Sequence, residues 1–442
     1  RVPDSGAVLT RELQQLETKL QQIKVNRRST ERDQAEVLSY GELLSARLFS
    51  SALNDRGIAA SLLDARSFLT TDASYDQAKV DLGLSKKYWT ACYKDLPKGT
   101  IPVVTGFIGA SPEGHTTTLG RNGSNYTAAL IANFLNAEEV LNYTHVDGLF
   151  SAPPDQVDEA RLIRQLSFEE ANELVQFGAH ILHAKTIIPL LEKNIPLHIL
   201  NTFNPRSPGT RISTEGKKEE IKAVSLLNDN ALLMLEGRGL LDKVGVDARI
   251  FSVLADHRIS VSVISQGASE RGIGLVVQYD DAERAHRLLE KEFQTDLGSD
   301  DLNQIQRIEP VSILSVVGED AGSFYRPYRA LVRNQLTPLL FNNSPSDRQL
   351  GLVFKEEEAV KALRVVHGEL YGTAKRINLL CFGKGRVVAT LLDQLLEEAE
   401  ALKEKKNIDL RVIVILNSSH ALLKKEGVGS PWRNQFDQKA RR

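Results

Sequence analysis

The sequence is poor in features that would place it in a specialised class. It has two cysteines among 442 residues, Cys92 and Cys381, and they lie far apart. This argues against a disulfide framework and fits a reducing cytoplasm. No apolar run approaches the roughly 20 residues that cross a bilayer, and no signal peptide is visible at the start. The formal net charge of −2 gives no general attraction to nucleic acid or to an anionic membrane.

Methionine is also scarce. The one methionine is Met234 and the chain begins at Arg1, so we expect that the N-terminus has been trimmed or lost. What the chain does have is an ordinary globular composition, with 42% hydrophobic and 25% charged residues. A chain of this length is expected to form about two to four domains.

Two helices are predicted near the start of the chain. The first, of about 15 residues, carries an apolar stripe at spacings of three and four, formed by Leu9, Leu13, Leu16, Leu20 and Ile23. The second contains "SYGELLSARLFSSALND", with its inward face predicted at Leu44, Leu48 and Ala52. Gly57 is a stop signal, and a short apolar strand is expected at 58–63.

Strands and helices then alternate from "GTIPVVTGFIG", a predicted buried strand, to "PLHILNTFNP". One helix begins with a capping box, in which Ser167 is the N-cap and Glu170 follows three residues later. Such alternation favours an α/β sheet covered on both faces, whose ligands bind beyond the carboxyl ends of the strands. The loops at 106–124 and 144–155 are therefore the candidate site.

The stretch "TTTLGRNGSNYTAALIANFL" (116–135) predicts a loop that runs directly into a helix. It offers an arginine, two glycines and several hydroxyls beside a helix start, which suits an anion. It has no carboxylate of its own. Asn125 stands where an acid would help a phosphoryl transfer.

A polar stretch near 206–220 predicts a domain boundary. Two loosely repeated units of β-α-β-β-α order follow, as in ferredoxin-like folds, and they indicate an internal duplication. A last segment, "RINLLCFGKGRVVATLLDQLLEEAEAL" with the strand "IDLRVIVILNSS", predicts the opening β-α-β of a dinucleotide-binding fold. We expect that this short unit cannot bury both faces of its sheet alone.

The order of these motifs resembles aspartate kinase, and more closely the bifunctional aspartokinase–homoserine dehydrogenase. The likeness rests on "SYGELLSARL", "VVTGFIG", "TTTLGRNGSNYTAALIA", "THVDGLFSAPPDQVDEARLIRQLSFEEANELVQFGAHILHAKTIIPL" and "DKVGVDARIFSVLADHRISVSVISQGASERGIGLVV". The resemblance implies an α/β architecture in four parts. They are an amino-acid-kinase domain at 1–215 without its first strand and loop, ACT modules at 216–305 and 306–370, and a partial Rossmann segment at 371–442.

The family reaction transfers the γ-phosphoryl group of Mg-ATP to the side-chain carboxylate of L-aspartate. In the resemblance, Arg121 and Ser124 match the substrate-carboxylate site, and Glu42 matches the acid for the substrate amine. Arginine suits such a role because its planar fork can bind a carboxylate through two hydrogen bonds.

The phosphoryl-transfer positions are substituted in this sequence. Asn125 replaces the acid of the family's "GRGGSD", His145 replaces the first acid of "TDVDG", and His180 replaces the lysine of "GAKVLHP". Asp155 stands where a cation is expected, and the family's Lys-Phe-Gly-Gly strand has no counterpart before residue 40. The resemblance therefore implies a degenerate nucleotide site and an impaired kinase, with the site formed by Thr144, His145, Asp147, Phe150, Asp155 and His180. A metal site of His145, His180 and Asp147 is the competing interpretation.

The ACT resemblance implies an allosteric amino acid, threonine or lysine, and a homodimer or higher homo-oligomer through the modules. The matching effector residues are Asp247, Ser265, Gln266, Ser269 and Glu270, whereas a purely dimer-forming unit is the alternative. We expect the second module to serve in packing.

The dehydrogenase resemblance implies NADP binding at Gly383, Gly385 and Arg386. Val388 replaces the third glycine of the fingerprint, so this part is also compromised. Two hypotheses of different class remain open. One is an aspartate kinase of lysine, threonine and methionine biosynthesis, and the other is a non-catalytic homologue that binds amino acids through its ACT modules.

Overall fold

The computed structural model describes residues 5–176, 184–215, 221–237, 245–266, 272–298, 302–318, 325–343, 348–372, 375–406, 408–429 and 431–439. The chain divides into two compact units. The first consists of Arg1–Phe150 and Arg161–Lys222, and the second of Ser151–Ala160 and Ala223–Arg442.

The first unit alternates helices with short strands. Its helices are α1 (Ser5–Asn26), α2 (Glu31–Asp55), α3 (Leu82–Lys94), α4 (Gly123–Leu135), α5 (Phe168–Gln176) and α6 (Ala184–Leu191). Its strands are β1 (Ala60–Leu63), β2 (Ile101–Val104), β3 (Ile108–Ala110), β4 (Thr116–Thr118), β5 (Val140–Thr144), β6 (Gln165–Ser167), β7 (Leu197–Asn201) and β8 (Thr210–Ser213).

These strands form three small sheets. β1 pairs with β2 in parallel, β3 and β4 form an antiparallel pair, and the largest sheet has the order β5-β7-β8-β6. In that sheet β5 runs parallel to β7, so Thr144 and Asn201 end neighbouring strands at one edge. The predicted α/β alternation is confirmed, and the loops after β5 and β7 meet beyond the carboxyl ends of the strands.

Two details of the prediction for α2 and its surroundings were wrong. Leu48 is 54% exposed, and the buried face of α2 is formed by Ala35, Ser39, Leu43, Ala46 and Ser50. The apolar pattern was misleading because small and hydroxyl side chains, which allow close approach of the backbone, occupy the inner face. The strand near 101–104, which was predicted to be buried, is only partly buried, because Ile101 is 49% exposed.

The polar stretch predicted as a boundary begins with β8, an internal strand of the largest sheet, and the first unit ends shortly after it at Lys222. Thr210 is fully buried there, and its Oγ1 donates to the Ile163 carbonyl at 2.6 Å and accepts from the Leu149 amide at 2.8 Å. A polar strand is stable in the interior because its side chains satisfy backbone groups of neighbouring loops. The capping box was predicted correctly, as Ser167 accepts from the Glu170 amide and Glu170 accepts from the Ser167 amide.

The second unit repeats one order of elements. Its first module contains β9 (Ile221–Glu236), α7 (Val246–Asp256), β10 (Val261–Gln266), β11 (Gly272–Gln278) and α8 (Tyr279–Glu292), followed by α9 (Gln294–Gly298). Its second module contains β12 (Gln304–Gly318), α10 (Tyr325–Arg333), β13 (Leu340–Asn343), β14 (Gln349–Lys355) and α11 (Glu356–Tyr371). The β-α-β-β-α order therefore occurs twice, as predicted.

The two modules share a six-stranded sheet with the order β10-β11-β9-β12-β14-β13. The long strands β9 and β12 lie side by side at its centre. Helices α7 and α8 bury an apolar face against the first half of the sheet, around Leu233, Ile250, Leu275, Leu289 and Phe293. The backbone hydrogen bonds of the sheet continue from one module into the other, because β9 and β12 are neighbouring strands.

The C-terminal segment contains β15 (Lys375–Phe382), α12 (Arg386–Lys406), β16 (Ile408–Leu416), β17 (Ala421–Leu423) and α13 (Trp432–Lys439). β15 and β16 are parallel, as a β-α-β unit requires, and β17 pairs antiparallel with β16. Sequence reasoning missed α13, whose Trp432 and Phe436 are buried in a core with Leu392, Val412 and Ile415. Phe382 is 71% exposed. The segment thus has a small core of its own, while apolar side chains of β15 remain exposed.

Across the described ranges, no helix is both long and apolar enough to cross a bilayer.

The buried Thr210 hydroxyl gives a test of the sheet. Replacing Thr210 by valine keeps the shape but leaves the Leu149 amide and the Ile163 carbonyl without their partner. We expect the free energy of unfolding to fall by about 1–3 kcal/mol, measured by urea denaturation. Thr210→Ser keeps the hydroxyl and should be the more stable of the two variants. A Thr210→Val protein as stable as Thr210→Ser would contradict this assignment.

Candidate functional site

The predicted loop-to-helix stretch has the backbone geometry of an anion site. After β4 the chain turns through Gly120 and Asn122, which both adopt positive φ, and α4 begins at Gly123. The positive end of the helix dipole favours a negative charge at this point.

The structure brings Glu42 to the same helix start. Glu42 lies on α2, and its Oε1 accepts a hydrogen bond from Ser124 Oγ at 3.0 Å, across 82 positions of sequence. Its Oε2 accepts from the Gly106 amide at 3.2 Å. One carboxylate therefore links α2, the loop after β2 and the first turn of α4. Sequence analysis named Glu42 and Ser124 but gave no reason for their contact.

The loop after β2 is held close to α4 by the absence of a side chain at Gly106. A Cβ at Gly106 would lie 2.7 Å from Ser124 Cβ and 2.8 Å from Ser124 Cα. The next amide, of Phe107, donates to Thr127 Oγ1 at 3.2 Å. Glycine is thus needed here for the approach that brings Ser124 within reach of Glu42.

Arg121 and Asn125 flank the helix start. Arg121 is exposed in the turn before α4, and Asn125 is partly buried in the first helical turn. An exposed guanidinium beside a helix start can bind a carboxylate. The Glu42 carboxylate at the same place can accept hydrogen bonds from an ammonium group. The arrangement therefore suits a small amino acid that carries both kinds of charge.

A second polar cluster surrounds the loop after β5. Asp147 Oδ1 accepts hydrogen bonds from Asn201 Nδ2 at 2.8 Å and from Asn204 Nδ2 at 3.0 Å. Thr144 Oγ1 lies 3.4 Å from Nδ1 of the exposed His145. Sequence analysis missed Asn201 and Asn204, although two amide side chains directly after a predicted strand were a visible signal.

Gly148 shapes the end of this cluster. Its φ is +139°, and a Cβ at this position would lie 2.5 Å from Thr210 Oγ1. Phe150 then forms an antiparallel bridge with Leu162. The loop 145–150 is therefore fixed at both ends, by asparagine amides at its start and by a backbone bridge at its end.

One predicted nucleotide-site residue, Asp155, is assigned to the other unit. Asp155 is exposed and belongs to the segment 151–160, which is part of the second unit, whereas Asp147 belongs to the first. His180 lies outside the described residues. Within the described part of the chain, no group of three or more His, Cys, Asp and Glu side chains is arranged to hold a metal ion. The metal interpretation, which needs His180, stays untested.

Three of the five predicted effector residues lie at the same end of the six-stranded sheet. β9 and β10 both run antiparallel to β11, so their carboxyl ends lie on the same side. Asp247 is exposed in the first turn of α7, which follows β9 along the chain, and Ser265 and Gln266 end β10. Ser269 and Glu270 lie outside the described residues. The topology therefore gathers Asp247, Ser265 and Gln266 around the start of a helix.

The glycine loop of the C-terminal segment, residues 383–385, contacts helix α13. Gly383 has a φ of +95°, and Arg386 is the first residue of α12. Between the glycines, Lys384 Nζ lies 2.6 Å from Asp437 Oδ1 of α13 and 5.3 Å from the ring centre of Phe436. Val388, at the position of the third glycine, packs against the apolar core of the segment. Gly385 leaves open space where a Cβ would project.

Comparisons with known proteins follow the same division of the chain. Residues 5–201 match the amino acid kinase family, and residues 233–293 match an ACT domain. The chain is 32% identical to a bifunctional aspartokinase/homoserine dehydrogenase of Haemophilus influenzae over 438 residues, which cover 98% of the chain and 53% of that protein. The chain thus spans about half the length of the curated relatives it matches.

Solved structures of an aspartokinase are similar to this chain over most of its length. E. coli aspartokinase III in complex with aspartate and ADP is similar with a TM-score of 0.71 and 26% identity, over 83% of this chain and 81% of that one. The same enzyme in complex with lysine and aspartate has a TM-score of 0.65 and 27% identity, over 83% and 84% of the two chains.

The close approach at Gly106 can be tested by adding a methyl group. Gly106→Ala forces Ser124 and the start of α4 to move, and we expect it to lower the free energy of unfolding by about 1–3 kcal/mol. The matched control is Gly41→Ala, beside Glu42 on α2, where a Cβ meets nothing within 4 Å. Because alanine favours helix, the control should be neutral or more stable by up to about 1 kcal/mol. Urea denaturation measures both, and equal stability of the two variants would contradict the proposed close approach.

Proposed function

We propose an aspartate-kinase function under amino-acid control for this chain, which belongs to the amino acid kinase family over residues 5–201 and carries an ACT domain at 233–293. Its relatives are bifunctional aspartokinase/homoserine dehydrogenases, and the chain corresponds to their aspartokinase part. The proposed substrate is L-aspartate, and the proposed effector is lysine or threonine.

The observation that carries the proposal is the contact between Glu42 and Ser124 at the start of α4. Aspartate has two carboxylates and one ammonium group. In the proposal, Arg121 and the positive end of α4 bind a carboxylate, and Glu42 accepts hydrogen bonds from the ammonium group. Ser124 orients Glu42 for this role. A solved relative, E. coli aspartokinase III, has been seen with aspartate and ADP.

At the proposed nucleotide site, several charges that phosphoryl transfer uses are missing. Mg-ATP is the family's phosphoryl donor, and transfer depends on positioning and on neutralising charge at the phosphates. At the positions that match the family, Asn125, His145, Asp155 and His180 remove or reverse charges. Asp147 keeps its acid, but its carboxylate already accepts from Asn201 and Asn204. We propose that the chain acting alone binds aspartate but transfers the phosphoryl group to it slowly.

The second candidate function is a non-catalytic, amino-acid-binding homologue. It is favoured by the same charge losses and by the gathering of Asp247, Ser265 and Gln266 beside a helix start. The proposed parts are the kinase domain at 1–215, ACT modules at 216–305 and 306–370, and a partial homoserine-dehydrogenase segment at 371–442. In that segment NADP would contact Gly383, Gly385 and Arg386. A homodimer through the ACT modules is part of the proposal.

Substitution of Arg121 tests the aspartate site. Loss of a charge-assisted contact should weaken L-aspartate binding by about 10- to 100-fold in Arg121→Ala, measured by isothermal titration calorimetry. The matched control is Arg28→Ala, an exposed arginine in the turn between α1 and α2. An Arg121→Ala protein that binds aspartate as tightly as the control would rule out this role.

Turnover separates the two candidate functions. Because removal of one transition-state contact costs about 10²–10³ in rate, several such losses should leave almost no aspartyl phosphate formation by the purified chain. Trapping the product with hydroxylamine measures it, and titration of Mg-ATP, lysine and threonine, each alone, completes the comparison. Rapid formation of aspartyl phosphate would refute the impairment. Lysine or threonine binding without Mg-ATP binding would favour the regulatory homologue.

A further inference from the structure

The loop between β2 and β3 contains a three-residue turn with a strained backbone. The Ile108 amide donates to the Gly106 carbonyl, two residues earlier, at 2.7 Å, and the central residue, Phe107, has a φ of +67°. A hydrogen bond of this span around a residue of positive φ marks the rare and strained form of the γ-turn. The left-handed region is costly for a residue with a β-carbon, and it persists only where the surroundings enforce it. We call residues 106–108 the γ-turn.

Hydrogen bonds from three directions hold the γ-turn. The Gly106 amide donates to Glu42 Oε2 at 3.2 Å, and the Phe107 amide donates to Thr127 Oγ1 at 3.2 Å. The Phe107 carbonyl accepts from the Leu119 amide at 2.8 Å. Together with the bond inside the turn, these contacts give every backbone donor and acceptor of Gly106 and Phe107 a partner.

The γ-turn lies against the first turn of α4. A Cβ at Gly123 would lie 2.9 Å from Phe107 Cδ2 and 3.1 Å from Phe107 Cα, so the ring and the backbone of Phe107 both rest on the first residue of the helix. Thr127 lies one helical turn further on and is 2% exposed. Its hydroxyl donates to the Gly123 carbonyl at 3.0 Å and accepts from the Phe107 amide. One buried hydroxyl therefore joins the helix start to the strained backbone.

We propose that Thr127 is a positioning residue of the amino-acid site, because its hydroxyl holds the γ-turn in the conformation that presents the Gly106 amide to Glu42. The amides of Gly106 and Phe107 are consecutive, and one meets Glu42 while the other meets Thr127. Without the Thr127 hydroxyl, a buried amide loses its partner and the strained turn can relax. Relaxation moves the neighbouring Gly106 amide, so Thr127 acts on Glu42 through the turn. The proposal rests on the proposed function for the role of Glu42 and for the identity of the amino acid, L-aspartate.

Three variants isolate the Thr127 hydroxyl. Thr127→Val removes the hydroxyl and keeps the shape of the side chain, whereas Thr127→Ser keeps the hydroxyl. The matched control is Thr90→Val on α3, since Thr90 Oγ1 donates to the Lys86 carbonyl at 2.8 Å and so makes the same bond to the preceding helical turn, away from the γ-turn.

Hydrogen–deuterium exchange of the full chain tests the hold on the γ-turn without any ligand. We expect Thr127→Val to accelerate exchange of the amides in 106–108 by about tenfold, because a buried hydrogen bond is lost. Thr127→Ser should stay close to the wild-type rate, and Thr90→Val should leave these amides unchanged.

Isothermal titration calorimetry with L-aspartate tests the effect on the site. The affinity should fall by about tenfold in Thr127→Val, because Glu42 loses its fixed position. It should be restored in Thr127→Ser and unchanged in Thr90→Val. Rescue by serine separates positioning from simple packing, since serine restores the hydroxyl but not the methyl group.

A pair of variants at Phe107 tests the strain itself. Phe107→Gly and Phe107→Ala both remove the ring, but only glycine adopts a positive φ at no steric cost. The unfolding equilibrium constant from urea denaturation should therefore be at least about fivefold larger for Phe107→Ala than for Phe107→Gly. This comparison holds even if Thr127→Val does not fold.

The proposal is overturned if Thr127→Val leaves exchange in 106–108 at the wild-type rate, or accelerates it equally throughout the first unit. Wild-type aspartate affinity in Thr127→Val, or a Phe107→Ala protein as stable as Phe107→Gly, would also overturn it. A wild-type chain that does not bind L-aspartate would instead contradict the proposed function, and the exchange and stability results would still decide whether Thr127 holds the γ-turn.

Discussion

The Glu42 carboxylate is the contact on which the candidate site depends. It accepts hydrogen bonds from Ser124 on α4 and from the amide of Gly106, and it is itself fixed on α2. Three segments far apart in sequence are therefore joined by one charge near the positive end of a helix. This charge sits where it is stabilised by amide groups and by the helix dipole, so the site is organised by backbone geometry as much as by side chains.

In the proposed function, the site keeps charges that suit the amino acid but has lost charges that suit the nucleotide. A carboxylate and an arginine beside a helix start suit an amino acid, and the proposed function assigns this role to Glu42 and Arg121. Transfer of a phosphoryl group needs additional charges at fixed distances from the phosphates. At the matching positions this chain has an amide, histidines and an acid. The loop after β5 is well ordered by Asn201 and Asn204, but its order comes from hydrogen bonds that engage Asp147 itself.

The two modules of the second unit are joined by one shared sheet. Each module alone would expose a strand edge, and the pairing of β9 with β12 places both central strands in the interior of one sheet.

Local pattern determined much of this protein. The period of apolar residues predicted many of the helices and strands, though not α13. The Ser167–Glu170 capping box marked a helix start, and the repeated order of elements predicted two modules. These features follow from interactions over three or four residues or from an alternation along one strand, and the sequence states them directly. The resemblance of motifs also identified Glu42, Arg121 and Ser124 as site candidates.

Tertiary structure decided which residues meet. The sequence marked Asn201 and Asn204 as polar residues near a strand end, but no local pattern indicated that they donate to Asp147 or that Ser124 donates to Glu42, because these contacts depend on strand order and on the path of loops. For the same reason no local pattern indicated that the polar residues of β8 form an internal strand, where Thr210 satisfies two backbone groups. Burial of small and polar residues on α2, in place of Leu48, likewise depends on how closely neighbouring backbones approach, which a one-dimensional pattern does not contain.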